Sequence, residues 1–205
     1  MFGIDYTRKE SASLTRGERT GYVLFSLLIS FFFFLEIVSD YEPRKFGAII
    51  FFLAWMPLTF LHEFGHAVAA RLVGWEVKEF VVGFGRILKE VQFRETKVEL
   101  RAVPISGYML PGYTEASWSR WKSAFVYFAG PASELLVFFG IYALMGFDKF
   151  LNTGDGLVEL FFHGVALSAL TSAVINLIPM SAITEEGETP NDGLGILLSL
   201  FGRRG

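Results

Sequence analysis

His62, Glu63 and His66 are the residues of this chain whose types and spacing carry chemistry, in the run His62-Glu63-Phe64-Gly65-His66. On an α-helix, positions four apart share a face. The two histidines then point the same way, one turn apart, as two nitrogen ligands of a single zinc ion must. Glu63 is no ligand in this arrangement. It stands beside the metal, placed to take a proton from a water that the metal has made acidic. Between Phe46 and Ala70 these three are the only ionisable residues. A carboxylate in so apolar a helix is costly unless it faces a polar cavity or a partner. The bland alternative is two satisfied histidines and a stray glutamate in a buried helix.

The elements that must position these residues read as membrane helices. The chain has 205 residues, 52% of them hydrophobic and 23 of them phenylalanine, a composition that fits a polytopic membrane protein in a lipid bilayer. A net charge of −3 gives no nucleic-acid footprint. The absence of cysteine excludes disulfides, thiol catalysis and cysteine-held zinc, so a metal must be held by His, Asp or Glu.

Residues 1–21 carry Arg8, Lys9, Arg16 and Arg19 and read as a cytoplasmic tail rather than a secretory signal. Four spans follow. Tyr22 to Val38 contains the run Phe31 to Phe34. Phe46 to Leu72 holds the histidines, with Pro57 expected to bend the helix one turn before His62. Ser123 to Met145 is interrupted by Gly130-Pro131, and Leu157 to Ile178 ends at Pro179. Residues 75–111 alternate apolar and charged positions, as in Glu95 to Arg101, and read as a small membrane-associated β-sheet or hairpin region. Residues 180–192 read as an acidic, flexible loop. Gly193 to Phe201 is too short to cross a bilayer and reads as a C-terminal surface helix. The fold class is therefore an α-helical polytopic membrane protein of about four transmembrane helices, a single domain over residues 1–205. With the N-terminus inside, only Arg44, Lys45 and Lys149 of the 18 basic residues fall outside, the orientation that the positive-inside rule prefers. Both termini are then cytoplasmic in a multi-pass cell-membrane protein.

Two histidines leave zinc short of a protein ligand. His163 falls near the outer end of its span, on the wrong side, and reads as a packing histidine beside Gly164. Glu134 and Asp192 both lie at a compatible depth.

His62 to His66, then Asn176-Leu177-Ile178-Pro179, then Asp192-Gly193, resembles the site-2 protease family of intramembrane zinc metalloproteases. Gly83-Phe84-Gly85, Pro104 to Met109 and Ala129-Gly130-Pro131 resemble further motifs of that family in the same order, and the likeness covers about residues 46–205. The resemblance implies that His62, His66 and Asp192 bind Zn2+ and that Glu63 is the general base. It implies that Asn176 helps hold the substrate backbone or the developing oxyanion. The β-region would offer an edge to which an extended substrate segment, drawn from a transmembrane protein or peptide, adds as a strand. Two departures stand out. Asn176 and Asp192 are 16 positions apart where the family usually has about eight, and Asn191 stands where Leu is usual. Glu185, Glu186 or Glu188 in the insertion are then alternative third ligands. Glu134 stands where the family usually has Asn, as a partner to a ligand, a proton carrier or a helix-helix hydrogen bond. The reaction implied is hydrolysis of a peptide bond in or near a membrane span. The competing hypothesis is a zinc-binding membrane protein without protease activity, such as a transporter or an inactive partner, against which the intact Glu63 argues.

Overall fold

The computed structural model describes residues 42–202, apart from 115, 116, 153, 155, 185 and 186, together with isolated positions between 24 and 39. The span expected over Tyr22 to Val38 lies largely outside the described residues, as does the 1–21 tail.

Three described helices are long and apolar enough to cross a membrane: α1 (Lys45–Leu72), α2 (Arg120–Met145) and, after the short α3 (Phe147–Leu151), α4 (Leu157–Leu177). They agree within three residues with the expected second, third and fourth spans. Pro57 lies inside α1, which continues through it as one helix. α1, α2 and α4 all touch one another. Each contributes a buried stripe at the four-residue spacing of one helix face. In α1 it is Ala54, Leu58, His62, His66 and Ala70. In α2 it is Val126, Gly130 and Glu134, and in α4 Leu160, Gly164, Ser168 and Ser172. The preponderance of Gly, Ala and Ser lets backbones approach closely, as packing between membrane helices requires. Large apolar side chains such as Phe52, Leu136, Phe139, Leu144 and Phe161 face outward, as lipid-facing positions do. The stripe that carries His62 and His66 is thus also the packing stripe, so the polar groups sit where the helices close on each other.

Between α1 and α2 the chain makes two long strands, β1 (Glu76–Phe93) and β2 (Thr96–Gly112). The hairpin folds back across itself. Residues Glu79 to Val82 are flanked on one side by Leu110 to Gly107 and on the other by Lys97 to Leu100. Gly83 and Gly85 make the fold possible, with φ of 94° and 81° in a region that side chains rarely occupy. Beyond them Ile87 to Phe93 returns along Arg101 to Thr96. The segment Gly107 to Gly112 has strand partners in β1 on one side only among the described residues. An apolar cluster of Ala69, Ala70, Trp75, Val77, Phe80, Val82 and Val126 seals this sheet against α1 and α2. Glu99, almost fully buried, is held between Lys97 at 2.6 Å and Arg101 at 2.8 Å.

Within the stretch 180–192 the described residues include two short strands. β3 (Ser181–Thr184) and β4 (Gly187–Pro190) pair as an antiparallel hairpin. The β-branched Ile183, Thr184 and Thr189 suit extended backbone. α5 (Asp192–Phe201) then packs on the first half of α2. Ser199 Oγ donates to Ser123 Oγ at 2.9 Å, and the Arg120 guanidinium donates to the carbonyls of Leu200 and Gly202. Leu197, Leu198 and Phe201 stay exposed on its other side, as expected for a helix at the surface of a membrane.

Candidate metal centre

α1 presents His62 and His66 from adjacent turns, and α5 brings Asp192 to meet them. Asp192 Oδ2 lies 2.9 Å from His62 Nε2, and Oδ1 lies 3.2 Å from His66 Nε2. The two Nε2 atoms are 3.1 Å apart. One ligand atom from each of the three residues falls within 4.8 Å of the others. A carboxylate is an oxygen donor of the kind that zinc takes.

The opposite ring edges are fixed by α2. His66 Nδ1 donates to the Val126 carbonyl at 2.6 Å. A carbonyl only accepts, so Nδ1 carries the hydrogen and Nε2 of the neutral ring is left as a lone-pair donor. His62 Nδ1 lies 3.1 Å from Glu134 Oε2, and the other Glu134 oxygen accepts from Ser172 Oγ on α4 at 2.6 Å. Neither His62 Nδ1 nor Glu134 Oε2 makes a hydrogen bond of good geometry in this arrangement. Between these two supports stands Gly130. A Cβ there would come within 2.3 Å of His66 Nε2 and 2.7 Å of His62 Nε2. The space in front of the two nitrogens thus exists because residue 130 has no side chain. Two imidazoles with converging Nε2 atoms, a carboxylate, and a cleared space beside them match the donor set of a zinc site with three protein ligands.

Glu63 lies one residue along from this stripe and is buried. Its neighbour is β2 at Gly107. A Cβ on Gly107 would stand 2.8 Å from Glu63 Cγ and 3.2 Å from Oε1. The indole of Trp55 donates to the Ile105 carbonyl and ties this segment to α1.

Of the other residues singled out in the sequence, Asn176 is half-buried in the last turn of α4, and its main-chain carbonyl accepts from Asn191 Nδ2 at 3.2 Å. His163 packs edge-on against Phe150, with centroids 4.9 Å apart, as a packing histidine would. Glu185, Glu186 and the side chain of Glu188 fall outside the described residues. Sequence reasoning did not single out Val126 or Ser172 as site residues, nor the contact of Gly107 with Glu63. Val126, Gly130 and Glu134 are four apart, a helix-face signal present in the sequence.

The model of Peptidase family M50 matches residues 50–185. A Campylobacter jejuni protein provisionally named a zinc metalloprotease is 30% identical over 178 residues, which cover 77% of this chain and 44% of that protein. A similarly named Clostridium perfringens protein is 34% identical over 144 residues, covering 68% and 39%. Zinc metalloprotease Rip1 of Mycobacterium tuberculosis is 32% identical over 105 residues, covering 44% and 26%. The chain spans less than half the length of each of these relatives.

Proposed function

Since this chain belongs to Peptidase family M50, we propose that it is an intramembrane zinc metalloendopeptidase that cleaves a peptide bond in or near a membrane span of its substrate. The observation that carries this reading is the juxtaposition of Glu63 with two things at once: the His62, His66 and Asp192 donor set, and the one-sided β2 segment at Gly107. A metal store or a transporter has no use for a buried carboxylate between a metal set and a strand edge.

His62, His66 and Asp192 would hold the zinc. Bound there, it would supply Lewis acidity to acidify a water and polarise a substrate carbonyl. The carboxylate of Glu63 accepts the proton of the attacking water and delivers it to the leaving nitrogen. Its burial keeps bulk water away from that transfer. The segment Ile105 to Gly112 receives an extended stretch of substrate as an added strand. This solves a problem specific to membrane substrates, whose carbonyls are tied up in helical hydrogen bonds until the helix unwinds. Gly107 lets the added strand pass close to Glu63. Asn176 steadies the substrate backbone or the developing oxyanion.

The chain is multi-pass in the cell membrane with both termini cytoplasmic, and the centre lies in the cytoplasmic half of the bilayer. The distribution of Lys and Arg supports this orientation. The test is co-expression with candidate single-span membrane proteins, comparing the wild type with Glu63→Gln. The expected result is a cleaved product with the wild type alone. A product of equal yield from Glu63→Gln would overturn the mechanism.

A further inference from the structure

Asn191 stands directly before Asp192, and its side-chain amide joins two helix ends. Oδ1 accepts from the main-chain amide of Leu194 at 3.1 Å, capping the first turn of α5. The same oxygen accepts from the main-chain amide of Met180 at 3.0 Å. Nδ2 donates to the carbonyl of Ile178 at 2.7 Å and to that of Asn176 at 3.2 Å. The last carbonyls of a helix have no partner within it. Here the Asn191 amide supplies one to Asn176 at the end of α4, while its oxygen serves an unpaired amide at the start of α5. The main chain completes the closure, with Asn191 N donating to the Met180 carbonyl at 3.0 Å. Gly193 fits flush against the end of α4, since a Cβ there would meet the Leu177 carbonyl oxygen at 2.2 Å.

We propose that Asn191 is a positioning residue for the metal centre: its amide latches α5 to the end of α4 and so sets where Asp192 meets His62 and His66. The hairpin of β3 and β4 is a side excursion that leaves and rejoins the chain at this latch. Its strands begin their pairing with Ser181 opposite Pro190, immediately outside the Met180–Asn191 closure. Asp192 is held from the latch and from the packing of α5 on α2, and needs nothing from the hairpin beyond chain continuity. The inference rests on His62, His66 and Asp192 being the metal ligands.

Two variants separate the latch from its surroundings. Asn191→Asp keeps the cap on Leu194 and Met180 but replaces the donor by a second acceptor facing the carbonyls of Asn176 and Ile178. In the second variant, Ser181 to Pro190 are replaced by Asn-Gly, a two-residue turn suited to a hairpin, with Asn191 kept. Each full-length protein is purified, loaded with Co2+, and followed by its visible spectrum, its rate of metal release to a chelator, and its thermal midpoint by circular dichroism. The expected result is that Asn191→Asp shifts the cobalt bands and releases metal about tenfold faster or more while the helices melt within a few degrees of the wild type. The hairpin replacement should keep the wild-type spectrum and release rate. An Asn191→Asp variant with wild-type spectrum and release overturns the proposal. So does one whose metal loss merely tracks a collapse of the melting midpoint, and so does metal loss from the hairpin replacement. Failure of the wild type itself to bind Co2+ or Zn2+ is a different result, since it would sink the metalloprotease reading and not the latch alone.

Discussion

Glu134 Oε2 lies 3.1 Å from His62 Nδ1 in the fully buried space between α1, α2 and α4. The second oxygen of the same carboxylate accepts from Ser172 at 2.6 Å. Glu134 thus lies against His62 of the candidate metal set and ties α2 to α4 through Ser172. A carboxylate behind a ligating imidazole fixes the ring's tautomer and orientation and makes its other nitrogen a better donor. Glu134→Ala is expected to weaken zinc binding by about 10- to 100-fold. It should also lower stability by about 1–3 kcal/mol, because the buried Ser172 hydroxyl loses its acceptor. Glu134→Gln keeps the shape and one acceptor oxygen and should fall between the two. Competition titration against a chromophoric chelator measures the first effect and thermal unfolding of the metal-free protein the second. Equal zinc affinity in all three proteins would remove Glu134 from the centre.

Gly130 offers a test with its control in the same helix. A methyl group there would sit 2.3 Å from His66 Nε2 and 2.7 Å from His62 Nε2, pressing on both rings at once. Gly140, ten residues on in α2, has nothing within 4 Å of its would-be Cβ. Gly130→Ala should lose nearly all bound zinc. Gly140→Ala should keep it and gain up to about 1 kcal/mol from helix propensity. Elemental analysis of the two purified proteins distinguishes them, and a zinc-replete Gly130→Ala would mean that the histidines meet their metal elsewhere.

The pair of motifs that the sequence showed best is local. His62 and His66 are legible because helix geometry converts a spacing of four into a shared face, and Glu63 because a lone acid in an apolar helix needs a reason. Asp192 was partly legible, since Asp-Gly before a short apolar helix marks where the chain re-anchors. What the sequence did not disclose is the set of contacts made across the fold. His66 meets a carbonyl 60 residues away and Glu134 a hydroxyl 38 residues away. The folding-back of β1 and β2 depends on Gly83 and Gly85, which the sequence offered as part of a motif resembling the family's, with no fold-back implied. The closure at Asn191 was hidden for a related reason: a stretch rich in Glu and Gly reads as a loop, and the partners of Asn191 lie as far back as Asn176.

A substitution at Gly107 tests whether metal binding and catalysis separate. Its neighbours are Glu63 and the Val81 carbonyl, while His62 and His66 stand on the α1 stripe beside Glu63. A Cβ at 107 would press on the Glu63 side chain at 2.8 Å and on the Val81 carbonyl at 2.6 Å. Displacing a reacting group by about 1 Å is enough to cost roughly a hundredfold in rate. Gly107→Ala is therefore expected to retain full zinc while cleavage of a co-expressed substrate falls by about ten- to a hundredfold. Loss of zinc and activity together would show that the strand supports the ligands instead of positioning Glu63 and the substrate.

The last prediction concerns the third ligand, where the sequence left Asp192 and the hairpin glutamates in competition. Asp192 begins α5, whose first turn is capped by Asn191 and whose body is fastened to α2 through Ser199 and Arg120. Its carboxylate is already 2.9 Å and 3.2 Å from the two histidine nitrogens. A side chain held on both flanks loses little conformational entropy on coordinating a metal. Glu188 belongs to the side hairpin, and its strand partner is Ile183, not a residue of the bundle. To reach the histidines the hairpin would have to leave its base at Met180 and Asn191 and displace Asp192. Asp192→Ala should accordingly lose zinc nearly as fully as His66→Ala, because a three-ligand site cut to two holds the metal weakly. Glu185→Ala, Glu186→Ala and Glu188→Ala should each keep it. Zinc content of the five purified variants decides the matter. Full zinc in Asp192→Ala, together with loss in one glutamate variant, would transfer the third ligand to the hairpin.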